Sequence, residues 1–432
     1  MIKRLLCIAL LLALPLSAVA SSQDLQRFSL ANGLEVLILP DHTLPIVSLG
    51  FYIPGGVVAQ EVDNSAAHIT YTLLSEGTHS YSKQDIHAAE DRGGSIETFA
   101  RQRTGVIRAT VHRDDAQTSL SALISMHQEP LLPAQRLDVV KNQTQAAIAN
   151  RQAVAARHAA YLFQQSLYQS TPLAFATQGQ SDLTAQLTRE QVQAYHQQAI
   201  RITDGTVFVA AGDVDESLVE HITARLEQLP ARQLEGVEPF STFADNSPLD
   251  EKHSASTQQA HVFLRYPAPP ADDHCFAPMH IASTALGGGM GSRLFRELRE
   301  EQGLAYSVSA SMGVTVANPG MRVSIGTAPG NITEALSGME RQVKRLFREQ
   351  LTENELERAR NYLLGNHLLS RETVGDRVLH QAIHTLMGLS HSYDEDSIKA
   401  LEEVDLNQIQ DCARQWLADA KPDRFVYGEP SE

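Results

Sequence analysis

Four groups of residues have the types and spacing to do chemistry. His380 and His384 stand four apart, so on a helix both imidazoles share one face and could reach one zinc ion. No acidic base lies between them and no third ligand can be named, so a solvated face in a chain with 17 histidines is the competing reading. The run Leu286-Gly287-Gly288-Gly289-Met290-Gly291-Ser292-Arg293 could cradle a phosphate, but it lacks the Gly-Lys-Ser/Thr ending that such a loop needs. It reads equally as a turn between two helices. Arg299 and Tyr306, seven apart, are both hydrogen-bond donors by type and could hold an acceptor oxygen. The competing reading pairs Arg299 with a nearby glutamate and packs Tyr306 on a sheet. The fourth group is His68 on a short helix ended by Gly77, with Tyr71 and Thr72 beside it. A phenol titrates near ~10 and is a poor base at neutral pH, and a threonine is not a plausible zinc ligand.

The elements that must position these residues are duplicated. Leu187-Thr188-Arg189-Glu190-Gln191-Val192-Gln193 opens a helix that leads to the strand Phe208–Gly212, and Val404-Asp405-Leu406-Asn407-Gln408-Ile409-Gln410 does the same before Phe425–Gly428, at an offset of 217 residues (404 − 187). A strand and helix around His112 and Leu120 recur around Thr327 and Leu336, at an offset of 216 (336 − 120). The two halves span 21–235 and 256–432. A mostly polar stretch, 236–255, reads as a linker. Asn32-Gly33 predicts a hairpin turn, and Val47, Leu49, Phe51 and Ile53 alternate as in a half-buried strand. Ser82 starts a helix that stops at Gly93-Gly94, and Thr188 with Gln191 and Thr352 with Glu355 form capping boxes. The expected class is α+β: two homologous halves, each a mostly antiparallel sheet with helices packed on one face.

The segment Ser65–Thr78, the Pro54-Gly55-Gly56 turn before it and the Gly93-Gly94 helix after it resemble the pitrilysin/insulinase family of zinc peptidases. Leu286 to Val308, with Arg-Leu-Phe and Gly-Leu-Ala-Tyr, closely resembles that family's C-terminal signature. The resemblance covers essentially the whole chain after residue 20. In that family a helix carries H-x-x-E-H, with two zinc ligands and a base that activates water, and a Glu on a later helix completes the site. Here only His68 matches. Tyr71 stands at the base position, Thr72 at the second histidine, and the third-ligand position falls at Ala147. Glu97-Thr98 replaces the Asn-Ala pair of the substrate-side strand. The resemblance therefore implies no metal in this chain. Two-chain members divide the labour: one chain holds intact H-x-x-E-H and zinc, and its partner supplies an Arg/Tyr pair, matched here by Arg299 and Tyr306. The implied function is that of the non-catalytic subunit of an exported heterodimeric zinc metallopeptidase. It would border the peptide chamber, in part through Gly287, Gly288 and Gly289, and hold extended peptides. A structural or peptide-binding scaffold, or a peptidase with a displaced metal site, are the alternatives.

Lys3 and Arg4, the apolar run Leu5–Leu16 and Ala18-Val19-Ala20 have the parts of a cleavable signal peptide over residues 1–20, so an exported, periplasmic protein without a membrane anchor is expected. The net charge of −16 argues against nucleic acid and anionic membranes as partners. Cys275 and Cys412 could pair in an oxidising compartment, although spacing alone cannot show it.

Overall fold

The computed structural model describes residues 25–203, 205–230 and 240–429. The signal-peptide segment lies outside the described residues. The first sheet contains β1 (Gln26–Ser29), β2 (Glu35–Pro40), β3 (Ile46–Pro54), β4 (Ser95–Ala100), β5 (Thr104–His112) and β6 (Val207–Gly212), in the order β1-β2-β6-β3-β5-β4. The second contains β7 (Asp250–Ser254), β8 (Ala260–Pro267), β9 (Ser307–Met312), β10 (Gly320–Thr327) and β11 (Asp423–Glu429), in the order β7-β11-β8-β10-β9. Without β1 the orders correspond strand for strand, down to the one parallel pair in each sheet, β2 with β6 and β7 with β11. The duplication read from sequence is thus visible as topology. β7 occupies residues 250–254, inside the stretch read as linker. Its alternation was masked because its side chains are polar, and its stability comes from backbone pairing with β11.

The first half carries α1 (Ala66–Leu74), α2 (Lys83–Ile86), α3 (Ala116–Gln128), α4 (Ala134–Ala153), α5 (Ala155–Leu167), α6 (Ser181–Gln186), α7 (Arg189–Ala199) and α8 (Glu216–Leu226). The second carries α9 (Phe276–Gly287), α10 (Ile332–Arg348), α11 (Glu353–Leu369), α12 (Val374–Leu386), α13 (Tyr393–Glu403) and α14 (Leu406–Leu417). The capping boxes at Thr188 and Thr352 form as expected. The helix expected from Ser82 begins with its own capping box but breaks after Ile86 into a 3-10 turn that ends at Gly93, in the left-handed region.

Each half has its own core between sheet and helices. The second face of each sheet is covered by a helix from the other half. Val378, Leu379 and Ala382 of α12 pack on Leu37, Tyr52, Val106, Val207 and Val209 of the first sheet. Reciprocally, Ala159 and Phe163 of α5 pack on Phe263 and Phe425 of the second, with the Phe163 and Phe263 rings stacked 5.4 Å apart. Arg377 to Asp41 at 2.6 Å and Ser166 to Glu251 at 2.6 Å tie the exchanged helices down. This corrects the half-buried reading of β3: all its residues after Ile46 are buried, because α12 removes the second face from water. A buried Val or Leu side chain is worth roughly 1.5–3 kcal/mol, so the exchange holds the halves together firmly. Cys275 and Cys412 form a disulfide that joins the start of α9 to α14.

Candidate functional site

The first half would hold its metal on α1. Gln60 Oε1 accepts from Ala67 N–H at 2.6 Å and Asn64 Oδ1 from Ala66 N–H at 3.2 Å, so side chains satisfy donors that the first turn leaves free. Gly77, at φ +130, lets the chain leave the helix sharply. On this helix His68 is half-buried, and burial lowers its pKa, which keeps it neutral at neutral pH. Its imidazole makes no hydrogen bond among the described residues.

The residues around His68 do not fit zinc. The Tyr71 ring is 1% exposed and wedged against β5 at Gly105, where an added Cβ would lie 1.6 Å from the Tyr71 hydroxyl. Burial pushes the phenol well above its usual pKa, so it stays protonated and cannot act as a base. The Thr72 hydroxyl donates to the His68 carbonyl at 2.8 Å, a helix back-bond that spends its only proton inside the helix. Ala147 lies exposed on α4, the helix packed beside α1, and offers no donor atom. One imidazole with an alkyl, a back-bonded hydroxyl and a sealed phenol cannot grip an ion or activate water. Glu97, on the edge strand β4, pairs with Arg108, whose Nη1 donates to the Gly375 carbonyl at 3.0 Å. That carboxylate therefore braces the junction with α12. Gly105, which makes room for Tyr71, had no signal in the sequence.

In the second half the glycine run follows α9 directly. Gly287 lies against β9, where a Cβ would sit 2.1 Å from Ala310 N, so only glycine allows this approach. Arg293 in the same run is anchored by a bidentate pair to Glu355, with Nε to Oε1 at 2.7 Å and Nη2 to Oε2 at 2.9 Å, both side chains buried. The pair holds the Glu355 carboxyl down at about 2, against the desolvation that would raise it. Sequence reading gave Glu355 only its capping role and missed Arg293 as the pin of the loop.

Arg299 lies on a π-helical segment, Phe295–Glu301, marked by Gln302 N–H donating to the Glu297 carbonyl at 3.1 Å. Such segments often occur at functional sites. Arg299 is exposed. Its guanidinium stacks on the Phe295 ring, 4.9 Å from the centroid, and makes no ion pair among the described residues. Tyr306 is 64% exposed, while its backbone N–H donates to the Gly326 carbonyl at 2.9 Å. Neither side chain takes the structural role weighed against the chemical one.

His380 and His384 share a helix, α12, as the spacing requires, with ring centroids 6.0 Å apart. They line a cavity of about 1240 Å³ bounded by α9, β9, α11, α12 and α13, whose wall also includes Gly287, Gly288, Gly289 and His367.

Two family models match the chain: "Insulinase (Peptidase family M16)" over residues 35–181 and "Peptidase M16 inactive domain" over residues 186–363. An uncharacterized zinc protease of Streptomyces coelicolor is 29% identical over 363 residues, covering 81% of this chain and 78% of that protein. A non-peptidase homolog, YmxG, of Helicobacter pylori is 23% identical over 410 residues, 94% of each chain. Among solved structures, a peptidase M16 inactive domain from Pseudomonas fluorescens superposes with a TM-score of 0.83 at 22% identity, covering 95% of this chain and 99% of that one. A protease from Helicobacter pylori gives 0.82 at 14% identity, with 94% and 99% covered. The matched models, read with the exchanged helices and the duplicated sheets, make this chain a member of the insulinase family, peptidase family M16, whose first half keeps His68 but lacks the second histidine and the base of the catalytic motif.

Proposed function

We propose that this chain is the non-catalytic subunit of an exported heterodimeric zinc metallopeptidase. Its partner is a homologous chain with intact H-x-x-E-H, and that chain holds the zinc. This chain forms part of the chamber wall and presents Arg299 and Tyr306 to an extended peptide, where guanidinium and phenol donors hold the carbonyl and stabilise the developing oxyanion. The observation that carries the reading is the contrast between the halves. Tyr71, at the base position on α1, is buried, while Arg299 and Tyr306 stand exposed and their side chains make no hydrogen bond or ion pair among the described residues. The edge strands β4 and β9 each leave one side unpaired, where an extended chain could add. Export is supported by the signal-like residues 1–20 and by the Cys275–Cys412 disulfide, a bond that persists in oxidising compartments.

Reconstitution tests this. Peptide cleavage is measured for this chain, for a homologue with intact H-x-x-E-H from the same genome, and for the mixture. Cleavage by the mixture alone, lost on Arg299→Ala and weakened by Tyr306→Phe, is the expected result. Cleavage by this chain alone overturns the assignment, and a mixture indifferent to both substitutions leaves the scaffold reading in its place.

A further inference from the structure

The geometry points to a second state of the Cys275–Cys412 pair: once the disulfide is reduced, Cys275, Cys412 and His274 hold one zinc ion. Their three ligand atoms, two sulfurs and an imidazole nitrogen, lie within 4.8 Å of one another. Among the described residues no other group of three histidine, cysteine, aspartate or glutamate ligands comes as close. A tetrahedral zinc with Zn–S bonds of about 2.3 Å and a Zn–N bond of about 2.0 Å sets sulfur and nitrogen about 3.5 Å apart and its two sulfurs about 3.8 Å apart. Cys275 Sγ and His274 Nε2 already stand 3.5 Å apart. Only the two sulfurs must separate, and breaking the bond between them allows it.

The surroundings suit ligation. Asp273 Oδ1 lies 3.3 Å from His274 Nδ1, the other nitrogen of the ring. With the ring hydrogen on Nδ1 toward this carboxylate, the lone pair on Nε2 is left for the ion. A carboxylate behind a histidine fixes the tautomer and ring angle of metal-bound imidazoles in general and raises their basicity. Asp273 is itself fixed, since its Oδ1 accepts from the Cys275 N–H at 2.7 Å. Both cysteines are buried and His274 is exposed, so the imidazole closes the sulfur pair from the solvent side. Three ligands leave a fourth position for water or for Gln415 on α14, whose Oε1 lies 3.8 Å from Cys275 Sγ. Two thiolates with an imidazole select zinc over magnesium or calcium, which take oxygen ligands.

The reductant is a dithiol. Its thiolate attacks one sulfur, the S–S bond breaks, and the mixed disulfide resolves as the dithiol closes on itself. Two electrons pass to the protein, which gains two thiols, and the dithiol leaves as its own disulfide. When Zn2+ binds, the two thiols release their protons to solvent and two Zn–S bonds form. The disulfide joins the start of α9 to α14, and the ion rebuilds that tether in the reduced chain. α9 runs from this tether to Gly287, and Asp273, His274 and the glycine run line one cavity. The inference rests on the second half alone and on no part of the subunit assignment.

The test uses the purified chain, reduced with a dithiol and desalted without oxygen, with its free thiols counted. It is titrated with Zn2+ by calorimetry and with Co2+ by absorption. The reduced chain should bind one equivalent at micromolar affinity or tighter, with thiolate-to-Co2+ charge transfer in the near ultraviolet, and the oxidised chain should bind none there. Zn2+ should also raise the melting temperature of the reduced chain and slow its reoxidation at least tenfold. His274→Ala and Cys412→Ser should each weaken binding at least tenfold. Asp273→Asn, which keeps an acceptor for the Cys275 N–H, should weaken it about 10–100-fold, the range typical of outer-shell partners. His380→Ala should leave it unchanged. His274 is exposed, so its variant keeps the test open if Cys412→Ser does not fold. The proposal is overturned if the disulfide resists reduction in the folded chain, if the reduced chain binds no cation, if the oxidised chain binds it equally, or if His274→Ala leaves the affinity unchanged.

Discussion

The claim that α1 is closed to catalysis rests on the wedge between Tyr71 and Gly105, and that wedge can be pulled apart. Gly105 is not in the left-handed region, so alanine there meets no backbone penalty and only the side-chain contact matters. Its Cβ would lie 1.6 Å from the Tyr71 hydroxyl oxygen, 2.1 Å from Cζ and 2.7 Å from Cε2. A fully buried ring has no room to swing aside, so Gly105→Ala should fall at the upper end of overpacking costs, about 3 kcal/mol. At 2–4 °C per kcal/mol for domains of this size, that lowers the melting temperature by roughly 6–12 °C. Tyr71→Leu alone should cost about 1–3 kcal/mol through lost burial. In the double variant the new methyl enters space the ring has left. Its stability should therefore match that of Tyr71→Leu, with a coupling energy of about −3 kcal/mol. Urea unfolding of the four proteins measures the cycle. Additivity of the two substitutions within about 0.5 kcal/mol would refute the wedge, and with it the argument that a phenol fills the place of the base.

Two further expectations concern the disulfide and a buried histidine. The Cys275–Cys412 bond closes a loop with a sequence separation of 137, for which chain entropy gives about 5 kcal/mol and measured disulfides more often 2–4; the double Cys→Ser variant should melt well below the oxidised protein and level with the reduced one, and equal melting of all three would dismiss the staple. His127 is buried, stacked on Phe51 at 4.8 Å, and its pKa is pushed down to about 3 by desolvation, so it is neutral when folded and takes up a proton on unfolding below its ordinary value of 6.5. Stability is fully present above that value and falls as the pH drops from 6.5 toward 3, at about 1.4 kcal/mol per pH unit for this one group. His127→Phe should flatten the slope between pH 6 and 4.5 by one proton, measured by urea unfolding across that range.

The duplication was legible because its evidence is local: helix starts and strand ends repeat at a fixed offset whatever they pack against. The departures from the α1 motif were legible for a similar reason, since Tyr71, Thr72 and Ala147 differ in kind from what the motif has at those positions. How Tyr71 packs was not legible. It depends on Gly105, 34 positions beyond Tyr71 (105 − 71) and on another strand, where a glycine gives no hint of what fills its space. The disulfide was left open for the same reason, since the approach of α9 to α14 is a tertiary fact. Likewise His380 and His384 declared themselves by spacing, whereas the approach of Asp394 Oδ1 to within 3.4 Å of His384 Nδ1 depends on where α13 packs.

The exchanged helices explain the largest misreading. In β3 the residues between the apolar ones include Ser48 and Gly50, which is the pattern of a strand with one wet face. The polar groups are instead satisfied in place. Ser48 and Thr110 hydroxyls bond each other at 3.0 Å across the strands, and Gly375, at the start of α12, comes close enough that a Cβ would lie 3.3 Å from Thr110 Oγ1. Arg108 reaches the Gly375 carbonyl from the same face. The small and polar residues are thus a landing place for a helix more than 260 residues away in sequence. A sheet face can be built for burial with few apolar side chains when its polar groups pair among themselves and the partner helix arrives with a glycine. No reading of one half alone can distinguish such a face from a solvated one, because the partner that dries it is encoded in the other half.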